Sequence, residues 1–172
     1  MRFLGNKLLL FGLTLFFSCQ SGNEEQMNKL ENSAKNWGLL KVENNDSYRY
    51  EVTGVSWTGL NWVTAITVEG GQIVSREYER FSYSNDGAKE IKENYMETGD
   101  KLGTHVNGAK LLTLDELYDV CKQEYLRVDP ERNTILFTTF DNGLVSSCGY
   151  VPKGCADDCF QGFTLRVIEW LD

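Results

Sequence analysis

An α+β fold, one antiparallel sheet of about six strands with a capped helix packed on one face, is what three observations predict. Several stretches alternate apolar and polar residues with period two. One stretch repeats its apolar residues at helical spacing behind a capping box, and glycine-bearing turns separate consecutive strands. The expected order is α-β-β-β-α-β-β-β.

A first helix is expected over 24–37, where Met27, Leu30, Ala34 and Trp37 share one narrow stripe and Gly38 stands as the C-cap. From Tyr48 the period changes to two. Tyr48, Tyr50 and Val52 alternate with Arg49, Glu51 and Thr53, which predicts a half-buried strand. Gly54 and the stretch Trp57–Asn61 turn the chain into a second strand, Trp62 to Val68. Glu69-Gly70-Gly71-Gln72 then makes a tight hairpin, because Gly-Gly supplies the positive φ angles of a two-residue loop. Ile73 to Tyr83 completes a meander. Residues 84–110 are polar and carry Gly87, Gly99, Gly103 and Gly108. They are expected as a surface excursion, with a short helix at Ala88–Tyr95 and nothing the core requires.

Thr113-Leu114-Asp115-Glu116 has the form of a capping box, with Leu112 and Leu117 at the staple positions. Leu114, Leu117, Tyr118, Cys121 and Tyr125 follow on one helical face, so Cys121 is expected to point inward. Thr134 to Phe140 reads as strand, Asp141-Asn142-Gly143 as a hairpin turn, and Leu144 to Val151 as its return. A cysteine-bearing loop, Pro152 to Cys159, leads to a last strand, Phe163 to Trp170.

The 172 residues divide into three parts. Arg2 and Lys7 precede an apolar run, Leu8 to Phe17, and Ser18 precedes Cys19, the pattern of a secretory signal over 1–18. The run is too short to span a bilayer, which takes roughly 20 apolar residues. Leu15-Phe16-Phe17-Ser18-Cys19 resembles a loose lipobox, so Cys19 is the expected lipidation site, carrying palmitate-type acyl chains. An ordinary signal peptide ending on a chance cysteine is the alternative. Residues 19–26 are expected as a lipidated tether, in which Glu24-Glu25 resembles an acidic surface-export tag or is a solvated linker. Residues 27–172 make one globular domain. The implied location is the cell envelope, anchored to the outer membrane on its periplasmic or outer side. The formal charge is −8, and losing Arg2 and Lys7 with the signal moves it to −10. No Lys/Arg cluster offsets this, which excludes electrostatic binding of nucleic acid.

With Cys19 lipidated, Cys121, Cys148, Cys155 and Cys159 remain, an even set that reads as disulfides in an exported chain. Three pairings are open. Cys148–Cys159 with Cys121–Cys155 is favoured because Cys148 and Cys159 flank one loop. Cys148–Cys155 with Cys121–Cys159 competes. In either, one bridge ties the helix to the last hairpin. Four-cysteine zinc is disfavoured, since only Cys155-x3-Cys159 has ligand spacing.

Little in the sequence specifies a reaction. His105 is the single histidine, and no nucleophile motif accompanies it, so it is expected to be a solvated loop residue. Asp157 and Asp158, between two cysteines, are weak calcium candidates lacking the alternating acidic pattern of an EF-type loop. Trp57, Trp62, Tyr48, Tyr50 and Tyr83 cluster on the first meander. They are expected mainly in the core, with Trp57 and Trp62 as weak candidates for a sugar-binding surface.

Tyr48-Arg49-Tyr50, the hairpin Val68-Glu69-Gly70-Gly71-Gln72-Ile73-Val74, the helix start Thr113-Leu114-Asp115-Glu116-Leu117-Tyr118, and Gly149-Tyr150 followed by Asp157-Asp158 resemble, in that order, a family of bacterial secreted and lipoprotein domains of unknown function. The resemblance covers most of 37–170 and departs from the family at 84–110 and in the cysteine loop. It implies the fold outline and no activity. The function expected is that of an envelope-anchored, non-enzymatic binding or structural module without cofactor, contacting a protein or a surface polysaccharide. An envelope hydrolase or hydrolase inhibitor is the alternative.

Overall fold

The alternation that begins at Tyr48 produces the central strand of the molecule, flanked on both sides. Residues 22–171 are described in the computed structural model; the expected signal peptide and Cys19 lie outside them. In chain order the elements are α1 (Gly22–Glu43), β1 (Tyr48–Val55), β2 (Asn61–Glu69), β3 (Gln72–Tyr83), β4 (Lys89–Thr98), α2 (Leu114–Val120), β5 (Asn133–Thr139), β6 (Val145–Pro152) and β7 (Gln161–Trp170). A single turn of π-helix, Cys121–Tyr125, extends α2. The strands form a sheet in the order β4-β3-β2-β1-β7-β6-β5, with every pair antiparallel.

The α+β reading with an antiparallel sheet therefore holds, with seven strands in place of about six. The extra strand is β4, which replaces the short helix expected inside a surface excursion. Asn85-Asp86-Gly87 turns the chain, with Gly87 at φ 82°. The strand behind it is polar because it lies at the sheet edge and holds on by charge. Arg80 faces Glu93 at 3.2 Å, Arg76 faces Glu97 at 2.8 Å, and Lys89 pairs with Glu79. Charged edge strands resist pairing with other chains, and the same charges disguise them as loops in a sequence.

α1 also differs from expectation. It begins at Gly22, so residues 22–26 of the expected tether are its first turn, where Glu24 and Glu25 favour the positive end of the helix dipole. It runs through Gly38, which is not a cap. Asn45 and Asp46 end the helix at φ 54° and 51°, and the Asp46 N–H reaches back to the Lys41 carbonyl at 2.7 Å. Asn and Asp tolerate that left-handed conformation, and Leu40 packing on the core carries the helix past the glycine.

Both helices join the core on one sheet face. Tyr48, Tyr50 and Val52 of β1 and Ile66 and Val68 of β2 meet Leu30 and Trp37 of α1 and Leu114, Leu117 and Cys121 at α2. The capping box is present, with the Thr113 hydroxyl accepting from the Glu116 N–H and the Glu116 carboxylate accepting from the Thr113 N–H. Three buried phenols place α2. The Tyr48 hydroxyl accepts the Leu114 N–H at 2.9 Å, the Tyr50 hydroxyl donates to the Leu112 carbonyl, and the Tyr118 hydroxyl lies 2.7 Å from Ser33 Oγ and 3.0 Å from the Val145 N–H. Burial pushes the Tyr48 and Tyr50 phenols above their ordinary value, so they stay protonated.

The cysteines pair as Cys121–Cys148 and Cys155–Cys159. Neither pairing favoured from the sequence occurs. Cys148 lies mid-strand on the helix face, fully buried like Cys121, with the two Cα atoms 5.8 Å apart. Cys155 is exposed in the loop, away from the core that encloses Cys121. One bridge does tie α2 to the last hairpin, through β6, and the other closes the 155–159 loop on itself.

Removing the Tyr48 hydroxyl as Tyr48→Phe leaves the Leu114 N–H buried without its acceptor. The expected cost is about 1–3 kcal/mol, read as a lower urea midpoint at unchanged slope. A midpoint equal to wild type would mean that this contact does not position α2.

Candidate functional site

β7 changes partners halfway along. Its first half, Gln161–Thr164, pairs with Tyr150–Ser147 of β6, and its second half, Leu165–Trp170, pairs with Val52–Tyr48 of β1. Where it leaves β1 the sheet opens into a cleft of about 530 Å³. Val52, Val55 and Trp62 form one wall, Phe160 and Phe163 the other, and Asp158 stands at the rim.

Glycines permit this arrangement. A Cβ at Gly54 would overlap the Trp62 indole, and one at Gly149 would overlap the Gln161 carbonyl oxygen and the Phe160 ring, so each ring packs close against bare backbone. The rim is fixed by Asp158, whose carboxylate accepts the Trp57 N–H at 3.1 Å and the Ser56 hydroxyl at 3.3 Å. Asp158 adopts φ 45°, inside the loop that the Cys155–Cys159 bridge closes. The 155–159 loop is thereby joined to the turn between β1 and β2.

The sequence candidates divide accordingly. Trp62 and Asp158 meet in the cleft. Trp57 is 77 % exposed on the turn outside the cleft lining, and Tyr83 is 60 % exposed, so neither is the core residue expected. Tyr48 and Tyr50 are core. The Asp158 carboxylate holds the turn, and no group of three or more His, Cys, Asp or Glu side chains suited to a metal occurs among the described residues. Phe160 is absent from the sequence candidates, although an aromatic one residue after a loop-closing cysteine marks a loop that folds back on the sheet.

The opposite sheet face holds a second hollow, about 460 Å³. Its buried Glu51 is bracketed by Arg49 at 2.8 Å and by Arg166, and Glu79 pairs with Lys89. Glu77 is the remaining charge of the lining, so three carboxylates offset three cations there.

His105 is a loop residue with its side chain half-exposed, as expected, but it is also anchored. Its ring stacks on Tyr95 with centroids 4.0 Å apart, and its backbone N–H and Nδ1 lie 2.6 and 2.9 Å from the Glu97 carboxylate. Glu97 is fully buried and also accepts from Arg76 Nε and the Gly103 N–H, both at 2.8 Å. Arg76 in turn donates to the carbonyls of His105 and Ala109 at 2.8 and 3.1 Å. Burial by itself raises the Glu97 pKa, but Arg76 and the loop N–H groups outweigh it and hold the carboxyl well below the usual range. The pair is a clamp on the 99–110 loop. Neither Glu97 nor His105 lines the cleft or the second hollow.

No protein-family model, curated protein or solved structure matches the chain.

Glu97→Gln leaves Arg76 buried without its counter-charge, at an expected cost of about 3–5 kcal/mol, with faster hydrogen exchange confined to 99–110. In the native protein the folded pKa is depressed. The clamp's contribution is thus complete above the unfolded value of about 4.3 and is lost as pH falls below it. Thermal melts between neutral and strongly acid pH check this. If the Glu97→Gln protein were as sensitive to acid below that value as wild type, Glu97 would not be the group responsible.

Proposed function

We propose that the chain is a lipid-anchored, non-enzymatic binding module of the bacterial cell envelope that takes a neutral saccharide chain in the cleft between β1 and β7. The observation that carries the reading is the cleft lining. It presents Trp62, Phe160 and Phe163, the hydroxyls of Thr53 and Thr164, and one ionisable side chain, Asp158. Aromatic faces suit the C–H faces of sugar rings, and a few fixed polar groups orient the ring hydroxyls.

Charge narrows the ligand class. No Lys or Arg lines the cleft, so an acidic polymer finds no counter-charge there and meets Asp158 instead. Hydrolysis of a glycosidic bond ordinarily needs two opposed carboxylates. The lining has one, and it is already bonded to the Trp57 N–H.

The envelope location rests on the signal and Cys19. Two disulfides fit an oxidising compartment. No helix among the described residues is long and apolar enough to cross a membrane, and the lipid on Cys19 supplies the attachment in this reading.

Calorimetric titration with a neutral hexose oligomer and a uronic-acid oligomer of equal length tests the cleft. Binding of the neutral oligomer is expected, weakened roughly two- to tenfold by Trp62→Leu, with little binding of the acidic one and no release of reducing ends. Equal binding of both oligomers, or cleavage of either, would refute the reading. Cys19→Ala is expected to move the protein from the membrane to the soluble fraction.

A further inference from the structure

The expected lipid and Trp57 belong to the same end of the sheet. β1 ends at Val55 and β6 at Pro152, while β5 starts at Asn133 and β7 at Gln161, and the antiparallel registers place all four together. α1 starts at this end as well, for the Asn23 side-chain amide donates to the Val128 carbonyl at 3.2 Å, just before β5. Only Gln20 and Ser21 separate Gly22 from Cys19. Three peptide steps reach at most about 11 Å. An acyl chain on Cys19 therefore holds this end of the sheet, and not the other, against the bilayer.

What this end exposes suits such a surface. Trp57, on the β1–β2 turn, is 77 % exposed. Trp57 does not line the cleft, and its backbone is fixed by Asp158, so a rigid turn presents the indole outward. An indole, apolar in body and polar at its N–H, favours the headgroup region of a membrane. The loops beside the α1 start carry Arg127, Arg132 and Lys153 against Asp129, Glu131, Asp157 and Asp158, and Glu24 and Glu25 of the first helical turn bring the formal sum to −3. A net acidic end suits a zwitterionic lipid surface better than an anionic one.

We infer that the Trp57 indole, on the turn after β1, is a membrane-interface contact, a second point of attachment that fixes the domain on the bilayer with its cleft opening beside the lipid headgroups. The inference rests on the lipid-anchor reading. It also explains an exposed tryptophan that the cleft does not use, and it places the saccharide at the membrane surface.

The test uses the lipidated full chain reconstituted in vesicles of phosphatidylcholine and phosphatidylethanolamine with brominated acyl chains. Trp57 emission is expected to shift to shorter wavelength and to be quenched. Trp57→Phe is expected to float with the vesicles as wild type does while losing most of the quenching, since Trp37 is buried and Trp62 and Trp170 are partly buried against the core. An acylated protein that floats but shows equal quenching in both forms would overturn the orientation and leave the anchor standing. A purified chain with no acyl mass at its N-terminus, failing to float, would remove the anchor and this contact with it.

Discussion

The burial of two tyrosine hydroxyls in one strand is the constraint from which the rest of the architecture follows. Tyr48 and Tyr50 stand on the same face of β1 and have no access to water. Each hydroxyl must therefore find a protein partner or bear the cost of desolvation. Both find it at the start of α2, Tyr48 at the Leu114 N–H and Tyr50 at the Leu112 carbonyl. The helix start is thereby tied to the middle of the sheet, 66 and 62 residues away in sequence. With α2 so placed, its next turn brings Cys121 onto Cys148, and the bridge ties β6 to the helix.

That tie bears on the cleft. β7 has to serve β6 with its first half and β1 with its second, and the register between β1 and β7 shifts at Glu51/Val52. Arg166 is the additional residue, and its guanidinium pairs with the buried Glu51 on the open sheet face, where Arg49 also contacts Glu51. A bulge of this kind increases local twist and bends the strand. The cleft is the space left where a bent strand parts from its neighbour. The 155–159 loop then walls it, with Phe160 laid on Gly149.

Elements carried by local chemistry are legible in the sequence. The alternation at Tyr48, the Gly70-Gly71 hairpin, and the Thr113 capping box are fixed by residues a few positions apart, and they occur where expected. The features that differ from expectation depend on partners distant in sequence or space. β4 is mostly polar because Arg76, Arg80 and Glu79 of β3 receive its charges, and nothing inside Lys89–Thr98 signals that. Gly38 looks like a helix end until Leu40 is seen in the core. Loop proximity favours Cys159 as the partner of Cys148, whereas strand facing decides the pairing: Cys148 points to the helices. Of the cleft, Trp62 and Asp158 are visible as residue types, and their meeting is not, since it depends on where β7 divides.

The two ends of the sheet are consequently built for different tasks. At one end Trp37 stacks on Trp170 with centroids 5.6 Å apart and meets Tyr48 edge-on at 4.9 Å, sealing the core beneath the end of α1. There the Glu97 clamp also holds the loop after β4 in place through Arg76. A ligand entering between these groups would have to dismantle a buried ion pair or an aromatic stack. At the other end the strands diverge, the glycines at 54 and 149 carry bare backbone under aromatic rings, and Asp158 fixes a turn in place of a core contact. Rigidity is concentrated where nothing has to enter, and the open end is the one from which α1, and the lipid expected before it, sets out. The binding module proposed for this chain would need that polarity, because its recognition site and its attachment point would have to face the same way.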